Sequence, residues 1–377
     1  MQKIVKVLTL VFVCLVLCFP MIQSTFKIFP ENYDLHGSFA ISKDTVLNSD
    51  TWFEKVYQEK QESYLNENFG FRNFLVRLNN QMDFSFYDDF HVNDVFMGKN
   101  DYLFSYGFYR GYSGKSFKGD HYTDSIFQKI EELNERLVKK NKKLLVCFTP
   151  CKESFMPEYL PDTCYKKIGE KSYYNNYRKK LSASKIPFLD YNNYFQQIKK
   201  TAPHPLFTQG AVHWTTYGAY LALDSLLKRV SAEINKKVNL IRFKSIQLSD
   251  SPKYSDDDIS EAMNLLRNVN SEKLAYPEVD YVYSNDSCYK PKVLIIGDSF
   301  YYGLNNTWIP MQFFSKESYF LYYFKSAIPY DTKKSDIPIA DFNLTKELEN
   351  TDMVILFFSI GTLHGFPYGA TDMINNL

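Results

Sequence analysis

Apolar residues follow two different periods along the chain from residue 124 onward. The segment 124–141 places an apolar residue every three or four positions, which predicts an amphipathic helix. The next segment, 143–150, is a short continuous apolar run that ends at a proline, which predicts a buried strand. Helical and strand patterns then alternate toward the end of the chain.

This alternation predicts the class of fold. Strands are predicted at 143–150, 186–191, 291–299, 318–324 and 352–361, and helices at 124–141, 173–184, 215–234 and near 342–350. Strands that are separated by helices form a mostly parallel sheet with helices on both faces, which predicts a three-layer α/β domain. The polar stretch 245–290 interrupts the pattern, and we expect it only to decorate the fold.

Patterns before residue 124 predict a separate N-terminal region. Lys3 and Lys6 precede the apolar run 7–19, as in an export signal, and the apolar stretch continues far enough to favour an uncleaved membrane anchor. Segment 51–82 predicts two helices that are separated at Gly70, and 95–106 predicts a hairpin. We therefore predict an anchor or signal peptide at 1–24, a stalk and helical segment at 25–90 and the main domain at 91–377. A single-pass anchor would hold that domain in the periplasm or outside the cell.

Composition excludes one class of function and leaves others open. The net charge is only +1, which argues against a nucleic-acid-binding protein. Aromatic residues make up 17% of the chain, which suits stacking on sugar rings and equally suits an aromatic core. Cys151 and Cys164 can close a short disulfide loop in an oxidising compartment, whereas the pairing of Cys288 stays open. The cysteine spacing fits no zinc pattern, so we predict no metal site.

The predicted strand 291–299 ends in the clearest candidate for chemistry. Ligands of such sheets bind beyond the carboxyl ends of the strands, where Gly297, Asp298 and Ser299 lie. A serine at the start of the next helix can act as a nucleophile, with free backbone N–H groups nearby to stabilise an oxyanion. The alternative is that Ser299 only caps the helix. A serine nucleophile needs a base, and chain position makes His213 and His364 the candidates.

Five stretches of sequence occur in an order that resembles a known family. They are YLNENFGFRNFLVRLNN (64–80), VFMGKNDYLF (95–104), FTPCKESFMPEYLP (148–161), HWTTYGAY (213–220) and GDSF (297–300). Together they resemble the alginate O-acetyltransferase (AlgX/AlgJ-type) group of SGNH-hydrolase-like proteins, with gaps, from about residue 64 to 358. The resemblance implies an SGNH-like three-layer domain, in which Ser299 carries the acyl group and His213 is the base.

One position departs from the pattern of that group. The group has an acid two residues before the histidine, whereas this chain has Ala211. Three alternatives follow: another group orients His213, a dyad works slowly without an acid, or the site is silent. The carboxylates that we consider for the first alternative are Asp190, Asp298 and Glu153.

The resemblance also implies a function. It implies O-acetylation of an exported cell-surface polysaccharide through an acetyl-serine, with a membrane-bound O-acyltransferase as the acetyl donor and no cofactor. Trp214, Lys152 and Tyr302 are the expected contacts to substrate. The alternatives are a carbohydrate esterase with the same serine site, and a catalytically silent protein that binds glycan or serves as a scaffold in an acetylation complex.

Overall fold

A computed structural model describes residues 2–30, 34–37, 46–166, 169–267, 269, 272–284 and 287–376. The chain divides into two compact units. The first comprises Met1–Asn93 with Ser260–Asn268, and the second comprises Asp94–Ile259 with Val269–Leu377. Each unit is described separately below.

The first unit is helical over most of its described length. Its helices are α1 (Gln2–Phe26), α2 (Ser49–Phe53), α3 (Val56–Glu67) and α4 (Arg72–Tyr87). Within α1, the stretch Lys3–Phe26 contains an 18-residue window with a mean hydropathy of 2.6 and is long and apolar enough to cross a membrane. The predicted break at Gly70 is confirmed, since α3 ends before it and α4 begins after it. Of the predicted stalk, residues 31–33 and 38–45 lie outside the described residues.

The second unit contains the strands and most of the remaining helices. Its strands are β1 (Val95–Met97), β2 (Leu103–Ser105), β3 (Lys143–Thr149), β4 (Phe188–Asp190), β5 (Ile241–Ser249), β6 (Leu274–Tyr281), β7 (Val293–Gly297), β8 (Tyr319–Tyr322), β9 (Ser326–Pro329), β10 (Ile337–Pro338) and β11 (Met353–Ser359). The helices that follow α4 are α5 (Tyr106–Tyr112), α6 (Asp120–Lys139), α7 (Lys152–Phe155), α8 (Asp162–Tyr165), α9 (Tyr173–Ala183), α10 (Tyr191–Ile198), α11 (Thr216–Ile234), α12 (Asp258–Ala262), α13 (Ser299–Asn305), α14 (Pro310–Phe313) and α15 (Leu344–Glu349).

The main sheet confirms the predicted, mostly parallel arrangement. Its strand order is β10-β9-β8-β7-β11-β3-β4. Strands β8, β7, β11, β3 and β4 pair in parallel, whereas β9 and β10 add an antiparallel edge. The predicted hairpin at 95–106 is also present, as the antiparallel pair β1 and β2.

Helices cover both faces of this sheet, which confirms the three-layer architecture. Successive side chains of a strand point to opposite faces, so β3 contributes to two separate cores. Leu145 and Cys147 pack in the core that includes α11 and α13, whereas Leu144 and Val146 pack in the core that includes α6 and α9. The continuous apolar runs of the sequence therefore arise because the strands are buried on both sides.

Much of the described part of 245–290 forms regular secondary structure. Strands β5 and β6 pair in an antiparallel ribbon that packs against α11. Helix α12 lies in the connection between them. This connection carries a residue of the candidate site, so the expectation that it only decorates the fold is wrong.

Candidate active site

The turn between β7 and α13 places Ser299 at the carboxyl edge of the sheet. Gly297 is required at the end of β7 because a Cβ there would lie 2.7 Å from the carbonyl oxygen of Phe357. Asp298 caps α13, since its Oδ1 accepts a hydrogen bond of 3.0 Å from the N–H of Phe300. Ser299 is thus the first residue of α13, and it is partly exposed.

Asp298 holds this turn rather than orienting the histidine. Its side chain is fully buried, and its Oδ2 accepts hydrogen bonds of 2.6 Å from the N–H of Ser359 and from Oγ1 of Thr362. Burial raises the pKa of Asp298, although these hydrogen bonds oppose the rise. The carboxylate therefore ties the start of α13 to the loop after β11, and the prediction that it orients His213 is wrong.

His213 lies just before α11 with one ring nitrogen bonded and the other free. Its Nδ1 is hydrogen-bonded to Oδ2 of Asp258. The ring packs edge-on against Phe300, the neighbour of Ser299, with 4.9 Å between ring centroids. Nε2 is buried and has no hydrogen-bond partner among the described residues. Because the carboxylate fixes the proton on Nδ1, Nε2 of the neutral ring is free to accept one, as a general base must.

Asp258 uses both carboxylate oxygens to hold the loop that carries His213. Oδ1 accepts a hydrogen bond of 2.8 Å from the N–H of Val212, while Oδ2 bonds the imidazole. The backbone continues this pairing, since the N–H of Ile259 donates to the carbonyl of Gly210 at 3.0 Å. The position and tautomer of the histidine are therefore both set by the residue that begins α12.

The charge of Asp258 also sets the direction in which the pKa of His213 moves. Burial acts to lower the pKa of His213. The Coulombic attraction and hydrogen bond of Asp258, with a smaller contribution from Asp298, outweigh burial and raise the pKa above its ordinary value. The site therefore stabilises the imidazolium that forms when the base takes a proton.

A buried aspartate fixes the segment that supplies Asp258. Oδ1 of Asp256 accepts hydrogen bonds from the N–H and Oγ1 of Thr216 at 2.8 and 3.0 Å, and its carbonyl accepts from Oγ1 of Thr208 at 2.9 Å. Burial raises the pKa of Asp256 to about 7, against the effect of its hydrogen-bond donors. These contacts attach residues 256–258 to the start of α11.

Lys152 is buried and joins β2 to the loop before His213, a set of contacts that we call the Lys152 clamp. It is therefore not the substrate contact that we predicted. It is 1% exposed, and its Nζ donates to the carbonyls of Leu103, Gln209 and Ala211 at 2.7, 2.6 and 2.9 Å. Burial lowers the pKa of Lys152 to about 7, although the charge of Glu153 opposes this. At the position where the family pattern has its acid, the chain therefore uses the Ala211 carbonyl to anchor the histidine loop.

The other two carboxylates that we considered for orienting His213 have different partners. Asp190 forms an ion pair of 2.9 Å with Arg178 at the edge strand β4. Glu153 is buried, and its Oε1 accepts a hydrogen bond of 3.1 Å from the N–H of Ser105. Neither carboxylate is hydrogen-bonded to the imidazole, so the orienting acid is one that the sequence analysis missed. The only sequence signal for it is the run of three aspartates at 256–258, which a solvated loop would also explain.

The two aromatic residues that we predicted to contact substrate differ in their exposure. Trp214 is 1% exposed and stacks on Phe195 with 5.7 Å between centroids, so it forms the core beneath His213 and its predicted substrate contact is wrong. Tyr302 is 37% exposed and stacks on Tyr322, so it is accessible to substrate and its role stays a prediction.

A tyrosine that the sequence analysis did not consider lies near Ser299. Tyr323 follows β8, and the hydroxyl and backbone N–H of Ser299 both act to lower the pKa of its phenol. Burial raises the pKa of Tyr323 well above its ordinary value, so the phenol stays protonated, although these two donors oppose the rise. Tyr323 also lines a cavity of about 310 Å³ together with Phe108, Thr362 and the exposed second candidate base, His364.

Two further expectations concern cysteines and metals. Cys151 and Cys164 are free thiols in this structure, so the disulfide that we considered is not formed. In the described part of the chain, no cluster of three or more His, Cys, Asp or Glu side chains is arranged to hold a metal ion.

Comparison with known proteins identifies the family. Residues 95–307 match the family described as an SGNH hydrolase-like domain, acetyltransferase AlgX. Similar solved structures include the O-acetyltransferase domain of Pseudomonas putida AlgJ (16% identity, TM-score 0.45, covering 75% of this chain and 98% of that one). Pseudomonas aeruginosa AlgX also matches, with 15% identity, a TM-score of 0.39 and coverage of 70% of this chain and 55% of that one. Bacillus cereus PatB1 with a sulfonyl adduct matches with 12% identity, a TM-score of 0.44 and coverage of 73% of this chain and 98% of that one. Comparison with curated proteins gave no significant match. Because the family match spans more than half of the chain, the protein belongs to the AlgX family of SGNH hydrolase-like acetyltransferase domains.

Proposed function

We propose that the protein is an O-acetyltransferase that acts on an exported polysaccharide and carries the acetyl group on Ser299. One observation carries the proposal: Asp258 holds His213 at Nδ1 and leaves Nε2 free, beside the residue that follows Ser299. A catalytically silent scaffold protein would not require a histidine that is held in position to accept a proton. This observation therefore favours the first of the three alternatives, in which a carboxylate outside the family pattern orients His213.

The first half-reaction loads the enzyme. The Oγ of Ser299 attacks the acetyl carbonyl carbon of the donor, and Nε2 of His213 takes the hydroxyl proton. The tetrahedral intermediate then collapses, the bond to the donor's leaving group breaks, and His213 returns the proton to that group. The products are acetyl-Ser299 and the deacetylated donor.

Two groups can stabilise the negative charge that develops. Ser299 is the first residue of α13, so its N–H has no acceptor within the helix, and the phenol of Tyr323 is near it. We propose that the substrate carbonyl oxygen takes a position beside this N–H and that the protonated phenol shifts to donate to it. Hydrogen bonds that are aimed at the oxyanion strengthen as the charge grows, so they lower the barrier.

The second half-reaction passes the acetyl group to the acceptor. His213 removes a proton from a sugar hydroxyl, whose oxygen attacks the carbonyl carbon of acetyl-Ser299. Collapse of the intermediate breaks the bond to Oγ, and His213 returns the proton to Ser299. Water in place of the sugar would give a carbohydrate esterase with the same residues.

Family membership supports the acetyl group as cargo, and the apolar helix α1 supports a location at or beyond the membrane. The polysaccharide acceptor, the single-pass anchor and a membrane-bound O-acyltransferase as donor follow from the family resemblance. The large number of aromatic residues agrees with a sugar ligand.

A transfer assay tests this function. The protein is incubated with 4-nitrophenyl acetate and an oligosaccharide, and acetylated sugar is measured by mass spectrometry. We expect acetylated sugar from the wild type and none from Ser299→Ala. Ester hydrolysis at a rate unaffected by any sugar, with no acetylated product, would instead identify an esterase.

A further inference from the structure

A second cavity lies at the opposite end of α13 from Ser299. Its volume is about 200 Å³, and its lining includes the aromatic side chains of Tyr302 and Trp308 and the apolar Met311 and Ile328. Both aromatic side chains are accessible, at 37% and 56% exposed. A concave site with aromatic walls and a few polar groups is the usual form of a small-ligand site.

A buried amide in this lining has an unused hydrogen-bonding atom. Asn305 is 3% exposed, and its Oδ1 has no hydrogen-bond partner in the part of the chain that the structure describes. Leaving a buried acceptor unpaired is unfavourable, so such an atom calls for a partner that is absent from the chain itself. A sugar hydroxyl is a donor of this kind.

The backbone at Trp308 is strained in a way that exposes its indole. Its φ is 62°, which lies in the left-handed region that bulky residues avoid at a cost of about 1 kcal/mol or more. The backbone N–H of Trp308 donates to the backbone carbonyl of Asn305 at 3.0 Å, so the turn holds these two residues close together in the chain. A strained turn that exposes a large aromatic ring, instead of burying it, is typical of a binding surface.

An aromatic surface links this cavity to the nucleophile. Tyr302 stacks on Tyr322 with 4.8 Å between centroids, and Tyr322 contacts Tyr323, also at 4.8 Å. Tyr323 is in turn near enough to Ser299 for Ser299 to affect the pKa of its phenol. Asn305 lies about 9 Å from Ser299 along the axis of α13, a distance that a short run of linked sugars spans.

We propose that this cavity, formed by Tyr302, Asn305 and Trp308, binds an uncharged pyranose unit of the acceptor chain that is separated from the acetylated unit by a short run of linked sugars. Aromatic faces pack on the apolar faces of sugar rings, and the amide pairs with a ring hydroxyl. The lining carries one cation and one anion, Lys334 and Asp336, so it offers no net charge to attract a uronate. This inference rests on the proposed function, since it assigns the acceptor to the same serine site.

The test measures how fast sugars remove the acetyl group from the enzyme. Acetyl-enzyme is formed with 4-nitrophenyl acetate and quantified for each variant, and its decay is followed with the hexamers of cellulose, chitin and polygalacturonate as probes. Trp308→Ala and Tyr302→Ala test the cavity. Trp52→Ala is the matched control, because Trp52 is 48% exposed in the other unit of the chain.

We expect a neutral hexamer to accelerate decay more than its monomer does, and Trp308→Ala to raise the KM for the hexamer at least about tenfold. Trp52→Ala should match the wild type, and Tyr302→Ala, which removes the second aromatic wall, should also raise the KM for the hexamer. The inference is overturned if Trp308→Ala keeps the wild-type KM, if polygalacturonate is preferred, or if no neutral hexamer accelerates decay. A wild type that forms no acetyl-enzyme would instead refute the proposed function.

Discussion

Nδ1 of His213 is hydrogen-bonded to Oδ2 of Asp258, which lies 45 residues later in the chain. The family pattern has its acid two residues before the histidine, and this chain has Ala211 there. The carboxylate comes instead from the connection between β5 and β6. A triad acid acts through its geometry and not through its position in the chain. An acid that follows the histidine in the sequence can therefore orient it as well as one that precedes it.

The first prediction concerns Asp258 itself. Asp258→Asn should lower the rate of acetyl-enzyme formation by about 10⁴-fold, because it removes the charge that stabilises the imidazolium and allows the wrong tautomer. The rate is measured as the release of 4-nitrophenolate in the first turnover. Asp280→Asn is the matched control, since Asp280 lies in β6 and forms an ion pair with the exposed Arg242. A loss smaller than tenfold for Asp258→Asn, with Asp280→Asn unchanged, would contradict the assignment.

The second prediction concerns pH. His213 acts as a base only when neutral, and its pKa is raised mainly by Asp258 against burial, so the rate of acetyl-enzyme formation should fall as pH drops through a midpoint above about 6.5. In Asp258→Asn the attraction is lost while burial remains, so the midpoint should move to lower pH. The pH dependence of kcat/KM for 4-nitrophenyl acetate measures both midpoints. A midpoint that moves upward in the variant would show that Asp258 does not raise the pKa of His213.

The sequence alone predicts the sheet and the turn that carries Ser299 well. Strands such as β3 and β11 are buried on both faces, so they leave continuous apolar runs that no local feature obscures. Ser299 is found because Gly297, Asp298 and Ser299 are adjacent in the chain and the turn is local. Asp258 is not found because its contact with His213 depends on how the ribbon β5–β6 folds back on α11, and no local pattern encodes that contact.

Burial explains the two wrong substrate contacts. A lysine after a strand and a tryptophan beside a catalytic histidine both suggest exposed groups. In the structure, however, Lys152 finds three carbonyl acceptors in the interior, and Trp214 fills the core under the histidine loop. Only the tertiary structure shows that these polar and aromatic groups are satisfied by the protein itself.

The third prediction follows from the Lys152 clamp. Lys152→Met should lower the free energy of unfolding by about 3 kcal/mol, because three carbonyls lose a buried donor. Urea denaturation followed by circular dichroism measures the change. Lys273→Met is the control, since Lys273 is exposed and lies 3.9 Å from its nearest carboxylate. An unchanged unfolding midpoint for Lys152→Met would show that the ammonium does not hold the loop.

The fourth prediction concerns the proposed oxyanion donor. Tyr323→Phe should slow acetyl-enzyme formation by about 10²-fold, because it removes one donor to the developing charge and keeps the ring. The effect should fall on kcat more than on KM, since the hydrogen bond strengthens in the transition state. Tyr283→Phe serves as the control, since Tyr283 also belongs to the second unit and its side chain is exposed. A variant as fast as the wild type would place the phenol outside the reaction.

The most direct test of the account is the covalent intermediate itself. The protein is mixed with 4-nitrophenyl acetate, quenched with acid within the first turnover and digested, and the peptide that contains Ser299 is examined by mass spectrometry. The account predicts acetyl on Ser299 in the wild type, a large loss of it in Asp258→Asn and none in His213→Ala. Acetyl found on another residue, or on Ser299 equally in all three proteins, would contradict the triad of Ser299, His213 and Asp258.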